Sequence, residues 1–291
     1  MESEDGRFAG AGREGADGAA EGTSTEYLRP GRFINSDHAD VVRFAKEALS
    51  GMGAAGESAA AESTEDREQA GASAAPGTPA GDLDDRQKAV AGAEPGTPGD
   101  DLDDLEDRQK AVALFYAVRD RFRYDPYRID LNPEQMTASA VLARGYGFCI
   151  TKSVLLAAAA RIHGIPARLG FADVRNHLTT ERLRRSMGTD VFVWHGFAEL
   201  LIDGGWVKAT PAFNKSLCER FGVPTLDFDG IHDSLFQPFD GEGNQYMEYI
   251  RDHGRFSDLP LDQLRHAFEI AYPQLVSDGR CDLSGRFEED V

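Results

Sequence analysis

What most limits the folds open to this chain is its division into an acidic, low-complexity first third and an apolar-patterned remainder. Residues 1–106 carry 24 acidic and 9 basic side chains, a balance of -15, whereas residues 107–291 carry 26 and 22, a balance of -4. Residues 1–25 are mostly Gly, Ala, Glu and Asp. They are expected to stay disordered, because so little apolar surface cannot offset the entropy of ordering. In residues 26–49 the texture changes. Asn35-Ser36-Asp37 offers a helix N-cap, and Val41, Val42, Phe44, Ala45, Ala48 and Leu49 follow at helical spacing. Residues 50–106 return to low complexity and contain a tandem copy, PGTPAGDLDDRQKAV from Pro76 and PGTPGDDLDDLEDRQKAV from Pro95. Two copies are too few for a stacked repeat array, so this stretch reads as an acidic insertion. Residues 107–291 are long enough to bury a core of their own.

Composition narrows the function classes. The net charge of -19 opposes nucleic acid or an anionic membrane as a partner. The longest apolar run, Val154 to Ala160, falls well short of the roughly 20 residues a membrane span needs. The start, MESEDGRFAG, has neither the basic nor the apolar part of a secretory signal. A soluble, cytoplasmic protein is expected. With only six lysines, the acidic composition suits the proteome of a halophile, where surface charge maintains solubility. Three cysteines, Cys149, Cys218 and Cys281, cannot all pair, and none has metal-ligand spacing. Asp227, Asp229, His232 and Asp233 do not match a calcium loop. No cofactor or metal is expected.

The order of elements predicts an α+β fold. A helix with Val112, Leu114, Phe115, Val118 and Phe122 on one face comes first. A second runs from Cys149 to His163, stopped by Gly164 and Pro166. Strands are expected over Leu169 to Val174, Val191 to Ile202 and Trp206 to Thr210, the last two joined at Asp203-Gly204-Gly205. Arg175 to Gly188 reads as a polar connection. Gln245 to Ile250 is a further strand, and Pro260 to Tyr272 a helix.

Cys149 stands where a nucleophile is useful. Gly145 and Gly147 let the backbone turn just before it, and a helix N-terminus favours a thiolate and can hold an oxyanion. A buried cysteine in the same place could equally serve as a small apolar residue. His195 lies in the apolar strand VFVWHGFAELLI, next to Gly196. Together the two supply the pair needed for thiol acyl chemistry, with the imidazole moving the thiol proton to the leaving amine. The polar run DVRNH from Asp173 reads as the rim of a cleft, with Asp173 and Asn176 as substrate contacts. Tyr146 could line the oxyanion side or pack beneath the site.

These residues resemble the transglutaminase-like family of papain-like cysteine enzymes. The resemblance rests on Gly147-Phe148-Cys149, the helix VLLAAAARIH, and Gly164-Ile165-Pro166-Ala167-Arg168. It continues in His195-Gly196-Phe197-Ala198-Glu199 and in the strand Gly205-Trp206-Val207-Lys208-Ala209-Thr210-Pro211. It covers roughly Leu114 to Asn214. It implies a papain-like core with the nucleophile at a helix start packed on an antiparallel sheet, Cys149 as nucleophile and His195 as base. The implied chemistry is a thioester formed on a peptide or protein amide, followed by hydrolysis or acyl transfer; the rival is a peptide-binding module with little activity. Thr210 stands where the family has Asp. Its hydroxyl is expected to orient the imidazole without supplying charge, and Asn214 is the other candidate for that role.

Overall fold

The computed structural model describes residues 25–50, 106–177, 180–236, 247–273, 280–283 and 285–290. The described residues before 50 and from 106 onward pack as one unit. The expected disordered tail and the insertion with its duplicated tract lie almost wholly outside the described residues.

Helix α1 (residues 39–50) buries Val41, Phe44, Ala45, Ala48 and Leu49, the stripe expected from its spacing. Its approach is tied down by the Phe33 and Ile34 N–H groups, which donate to the Asp258 carboxylate at 3.1 and 2.9 Å. Helix α2 (Asp107–Arg121) leads through β1 (Arg123–Tyr124) and β2 (Arg128–Asp130) to α3 (Ala138–Arg144). Thr137 Oγ1 caps α3 by accepting from Ala140 N at 3.2 Å. Gly145 ends it with φ 73°, a left-handed conformation that glycine takes without a Cβ penalty. Strand β3 (Tyr146–Gly147) pairs in parallel with β1 and delivers the chain into α4 (Cys149–Ile162).

Helix α4 is the centre of the fold. Every residue from Cys149 to Arg161 is buried, as a helix apolar all round must be. Two basic side chains go in with it, and both are satisfied by carbonyls. Lys152 is fully buried, and its ammonium donates to the carbonyls of Arg119, Phe122 and Ala212 at 2.9, 2.7 and 2.7 Å. Burial pushes its pKa well down, yet three acceptors match the three protons of the charged form, one more than a neutral amine can offer. Lys152 thereby fixes the end of α2 and the loop at Ala212 to one point on α4. Arg161 donates to Ala167 O and Ser257 O at 2.7 and 2.6 Å.

Behind α4 lies a four-stranded antiparallel sheet in the order β6–β5–β4–β7, formed by β4 (Ala167–Asn176), β5 (Val191–Ile202), β6 (Gly205–Ala209) and β7 (Met247–Phe256). The α+β class and the antiparallel sheet are as expected. Two expectations are corrected. Strand β4 continues to Asn176 because it is paired on both sides, with β5 and with β7, so Asp173 and Asn176 belong to the sheet and not to a loop. The polar connection contains a helix, α5 (Glu181–Met187), between the Thr180 cap (Leu183 N to Oγ1, 3.2 Å) and Gly188 at φ 71°. Leu183 and Met187, four residues apart, face inward. Helix α6 (Lys215–Phe221) follows β6, α7 (Leu261–Ala271) follows β7, and β8 (Arg280–Asp282) pairs with β2. Residues 245 and 246 of the expected late strand lie outside the described residues, and β7 runs on to Phe256. Among the described residues, no helix is long and apolar enough to cross a membrane.

Candidate active site

Gly196 lets α4 and β5 meet, and Gly147 lets the chain ahead of α4 lie against that helix's own first turn. A Cβ on Gly147 would lie 2.8 Å from Thr151 Oγ1, and one on Gly196 would lie 3.0 Å from Ile150 Cα and Cγ1. The first turn of α4 therefore seats directly on β5 beside His195. Ser153 Oγ reinforces the contact by donating to Cys149 O at 2.8 Å and to Gly196 O at 3.3 Å. The Cys149 thiol, 8% exposed, is held by backbone N–H groups. Burial pushes the thiol up to about 11, while the N–H groups of Gly196, Ile150 and Cys149 itself pull the other way. The helix start is present as expected. Its stabilisation of a thiolate is outweighed by desolvation.

His195 is buried on β5, opposite Ala172 of β4. Burial pushes its imidazole down to about 4. At neutral pH the resting pair is thus a thiol and a neutral imidazole, and not a preformed ion pair. Just before His195 the β4–β5 register breaks, and Trp194 takes φ 55°, a strained conformation for a bulky residue. Side chains on β4, on β7 and just beyond α7 hold it there. Asp173 Oδ1 accepts from Trp194 N at 3.0 Å and lies 2.7 Å from His253 Nε2, and the His253 ring stacks on Trp194 at 4.6 Å. The Tyr272 hydroxyl accepts from Val193 N at 2.6 Å and donates to Val191 O at 3.0 Å.

The orienting hydrogen bond expected from Thr210 is not formed. Thr210 Oγ1 and His195 Nε2 are both buried, and neither has a hydrogen-bond partner. The register explains why: Ala198 pairs with Ala209, which puts position 210 level with Phe197, two residues from His195. Asn214 does not take over. Its Oδ1 accepts from Tyr124 N at 3.0 Å and its Nδ2 donates to Ser216 Oγ at 2.8 Å, so its amide braces the chain around Tyr124. Tyr146 is surrounded by guanidinium groups, with Arg144, Arg123 and Arg128 at 5.4, 5.7 and 5.8 Å from its ring centroid. Asn176 sits at the end of β4, its N–H donating to Asp190 O at 3.0 Å. The Asp173 carboxylate is engaged by Trp194 and His253, as above. Cys149 and His195 are the two expected site residues that border a common cavity. Asp229 and His232 bond to each other in an exposed loop, 2.7 Å apart.

Sequence reasoning missed several supports of the site. Glu199, 2% exposed, pairs with Arg168 at 2.6 Å and with Arg255. This ties the last residue of the His195 segment to the last residue of GIPAR directly across the ladder. A lone carboxylate at an inward position of an apolar strand was the available signal, since a buried charge needs partners. Asp173, His253 and Tyr272 left no such trace, because their role depends on a register break.

Among known proteins, residues 99–211 match the Transglutaminase-like superfamily, an interval that includes Cys149, His195 and Thr210. A solved structure from Cytophaga hutchinsonii, named provisionally as a cysteine protease, is similar over 66% of this chain and 43% of its own, with 14% identity and a TM-score of 0.36. The chain therefore corresponds to less than half of that protein. No curated protein matches. The ordered motifs around Cys149, Gly164 to Arg168, His195 and Trp206 all lie within residues 99–211, the stretch that is similar to the transglutaminase-like superfamily.

Proposed function

We propose that this protein is a thiol enzyme that opens an amide or peptide carbonyl through a Cys149 thioester. The observation that carries the reading is the placement of the thiol. It sits at the start of α4, against the Gly196 N–H and beside His195, with both side chains on one cavity. Since the resting pair is neutral, His195 acts as a general base during attack. The sulfur–carbon bond forms as the thiol proton passes to the imidazole, and the carbon–nitrogen bond breaks as that proton passes to the departing amine. The Gly196, Ile150 and Cys149 N–H groups hold the sulfur as its proton leaves. Water or an amine then releases the acyl group. The substrate is a peptide or protein amide, and a free catalytic thiol suits a reducing compartment such as the cytoplasm. Residues 50–106 are proposed as an insertion in the 26–291 domain.

A second reading, a peptide-binding module with little activity, is favoured by one observation: among the described residues His195 Nε2 has no hydrogen-bond partner. An electrophilic peptide probe separates the two. The enzyme reading expects covalent labelling at Cys149, found by mass spectrometry, with a rate at least tenfold lower in His195→Ala. Equal rates in the two proteins favour the binding module.

A further inference from the structure

The cavity beside Cys149 and His195 also bears on what the acyl group must be. Its empty space is about 510 Å³, a figure that includes the part open to solvent. Its walls include Met187 on α5, Phe192 and Trp194 on β5, Phe268 on α7, Tyr272 just beyond that helix and Ile129 on β2. Among the described residues no charged side chain lines it. The Tyr272 hydroxyl is already spent on Val193 N and Val191 O. Apart from the buried Tyr124 phenol and the Trp194 indole N–H, the side-chain polar groups left are the thiol and the imidazole themselves.

We propose that the acyl donor of Cys149 carries an uncharged, branched or aromatic apolar side chain, seated between α5, β5 and α7. The proposal rests on the thioester reading above and adds the substrate class to it. A carboxylate or ammonium entering this cavity would lose its hydration and meet no counter-charge, whereas an apolar side chain leaves water for apolar walls. Discrimination by such a pocket is on the order of tenfold to a few hundredfold.

The test uses a set of peptidyl acyloxymethyl ketones that differ only in the side chain next to the reactive ketone: Leu, Phe, Asp and Lys. In each, the Cys149 sulfur bonds to the methylene carbon, the carbon–oxygen bond breaks, the acyloxy group leaves as a carboxylate, and the thiol proton goes to His195. The full chain is expected to react at least tenfold faster with the Leu and Phe probes than with Asp and Lys. Met187→Glu should shrink the Leu-to-Lys ratio at least tenfold by placing a carboxylate in the wall. If that variant does not fold, the wild-type series decides alone. Equal rates across the series, or faster reaction with a charged probe, overturn the substrate class. So does failure of all four probes while iodoacetamide still labels Cys149 in a His195-dependent way. If labelling by the peptidyl ketones is itself independent of His195, the thioester reading has failed instead.

Discussion

Placing a carboxylate at position 210 should switch on the thiol at neutral pH. Thr210 is 1% exposed, and the register puts it diagonally across the β5–β6 ladder from His195. Diagonal neighbours lie roughly 7–8 Å apart at Cα, so an Asp carboxylate at 210 reaches to about 5 Å from the ring. At an effective dielectric constant of about 20, two unit charges at that distance interact by about 3 kcal/mol, or roughly two pK units. That would lift the imidazole from about 4 to near 6 and stabilise the state in which it holds the thiol proton. In the wild type, a thiol near 11 leaves about one molecule in ten thousand ionised at pH 7, and iodoacetamide alkylation should climb about tenfold per pH unit. Thr210→Asp should raise the pH 7 rate tenfold to a hundredfold, after the cost of burying the carboxylate, and flatten the profile above neutrality. Thr210→Val should change the rate by less than about twofold, because no hydrogen bond is lost. The assay is the rate of Cys149 alkylation from pH 5 to 10 in the three proteins. A folded Thr210→Asp protein whose profile superimposes on the wild type would refute the electrostatic reasoning. A Thr210→Val protein slowed more than fivefold would show that the hydroxyl holds the ring after all.

Brief, sub-stoichiometric iodoacetamide should modify Cys149 before Cys218. The latter is 1% exposed on α6 and does not border the Cys149–His195 cavity; peptide mapping that finds Cys218 first would contradict the assignment. Gly196→Ala should destabilise the fold by about 1–3 kcal/mol through overpacking against Ile150, read as a lower midpoint in urea, and an unchanged midpoint would mean that α4 and β5 can part freely. His195 adds a pH dependence to stability. Its folded pKa is depressed, so its contribution is full above about 6.5 and is lost as pH falls toward 4. Two and a half pK units correspond to about 3 kcal/mol, so the stability gap between wild type and His195→Gln should shift by that amount between pH 7 and pH 4. A gap independent of pH would place His195 in contact with water.

Much of the framework could be read from the chain because local signals and tertiary packing agree. The Gly-rich approach to Cys149, the Gly164-Ile165-Pro166 stop and the Asp203-Gly204-Gly205 turn each demand one backbone conformation, and each is found there. α5 escaped notice because a two-turn helix with two inward residues gives little periodicity, and its Thr180 and Gly188 caps were the clearer sign. Strand β4 was read short because pairing on two sides carries a polar sequence further into a sheet than its composition suggests. The Thr210 hydrogen bond failed for a geometric reason. Strand pairing predicts which residues share a face, but a bond to the ring needs the right level along the ladder, and Thr210 stands two residues away from it.

The motif residues share one structural purpose that none of them reveals alone. Gly196 removes the atom that would keep α4 off β5, and Gly147 the one that would keep β3 off the first turn of α4. Arg168 and Glu199 lock β4 to β5 below that contact, and Lys152 pins α4 to the loop after β6. The outcome is a buried thiol and a buried imidazole that border one cavity. Desolvation is what raises the thiol, lowers the imidazole and leaves the adjoining cavity apolar. A carboxylate at position 210 would offset the second effect, by holding the protonated imidazole, without altering the third. With Thr there, the cavity stays apolar and the imidazole lacks that support. On the proposed thioester chemistry, removing His195 should cost more in reaction with an amide than in simple alkylation at high pH, where the base has nothing left to do.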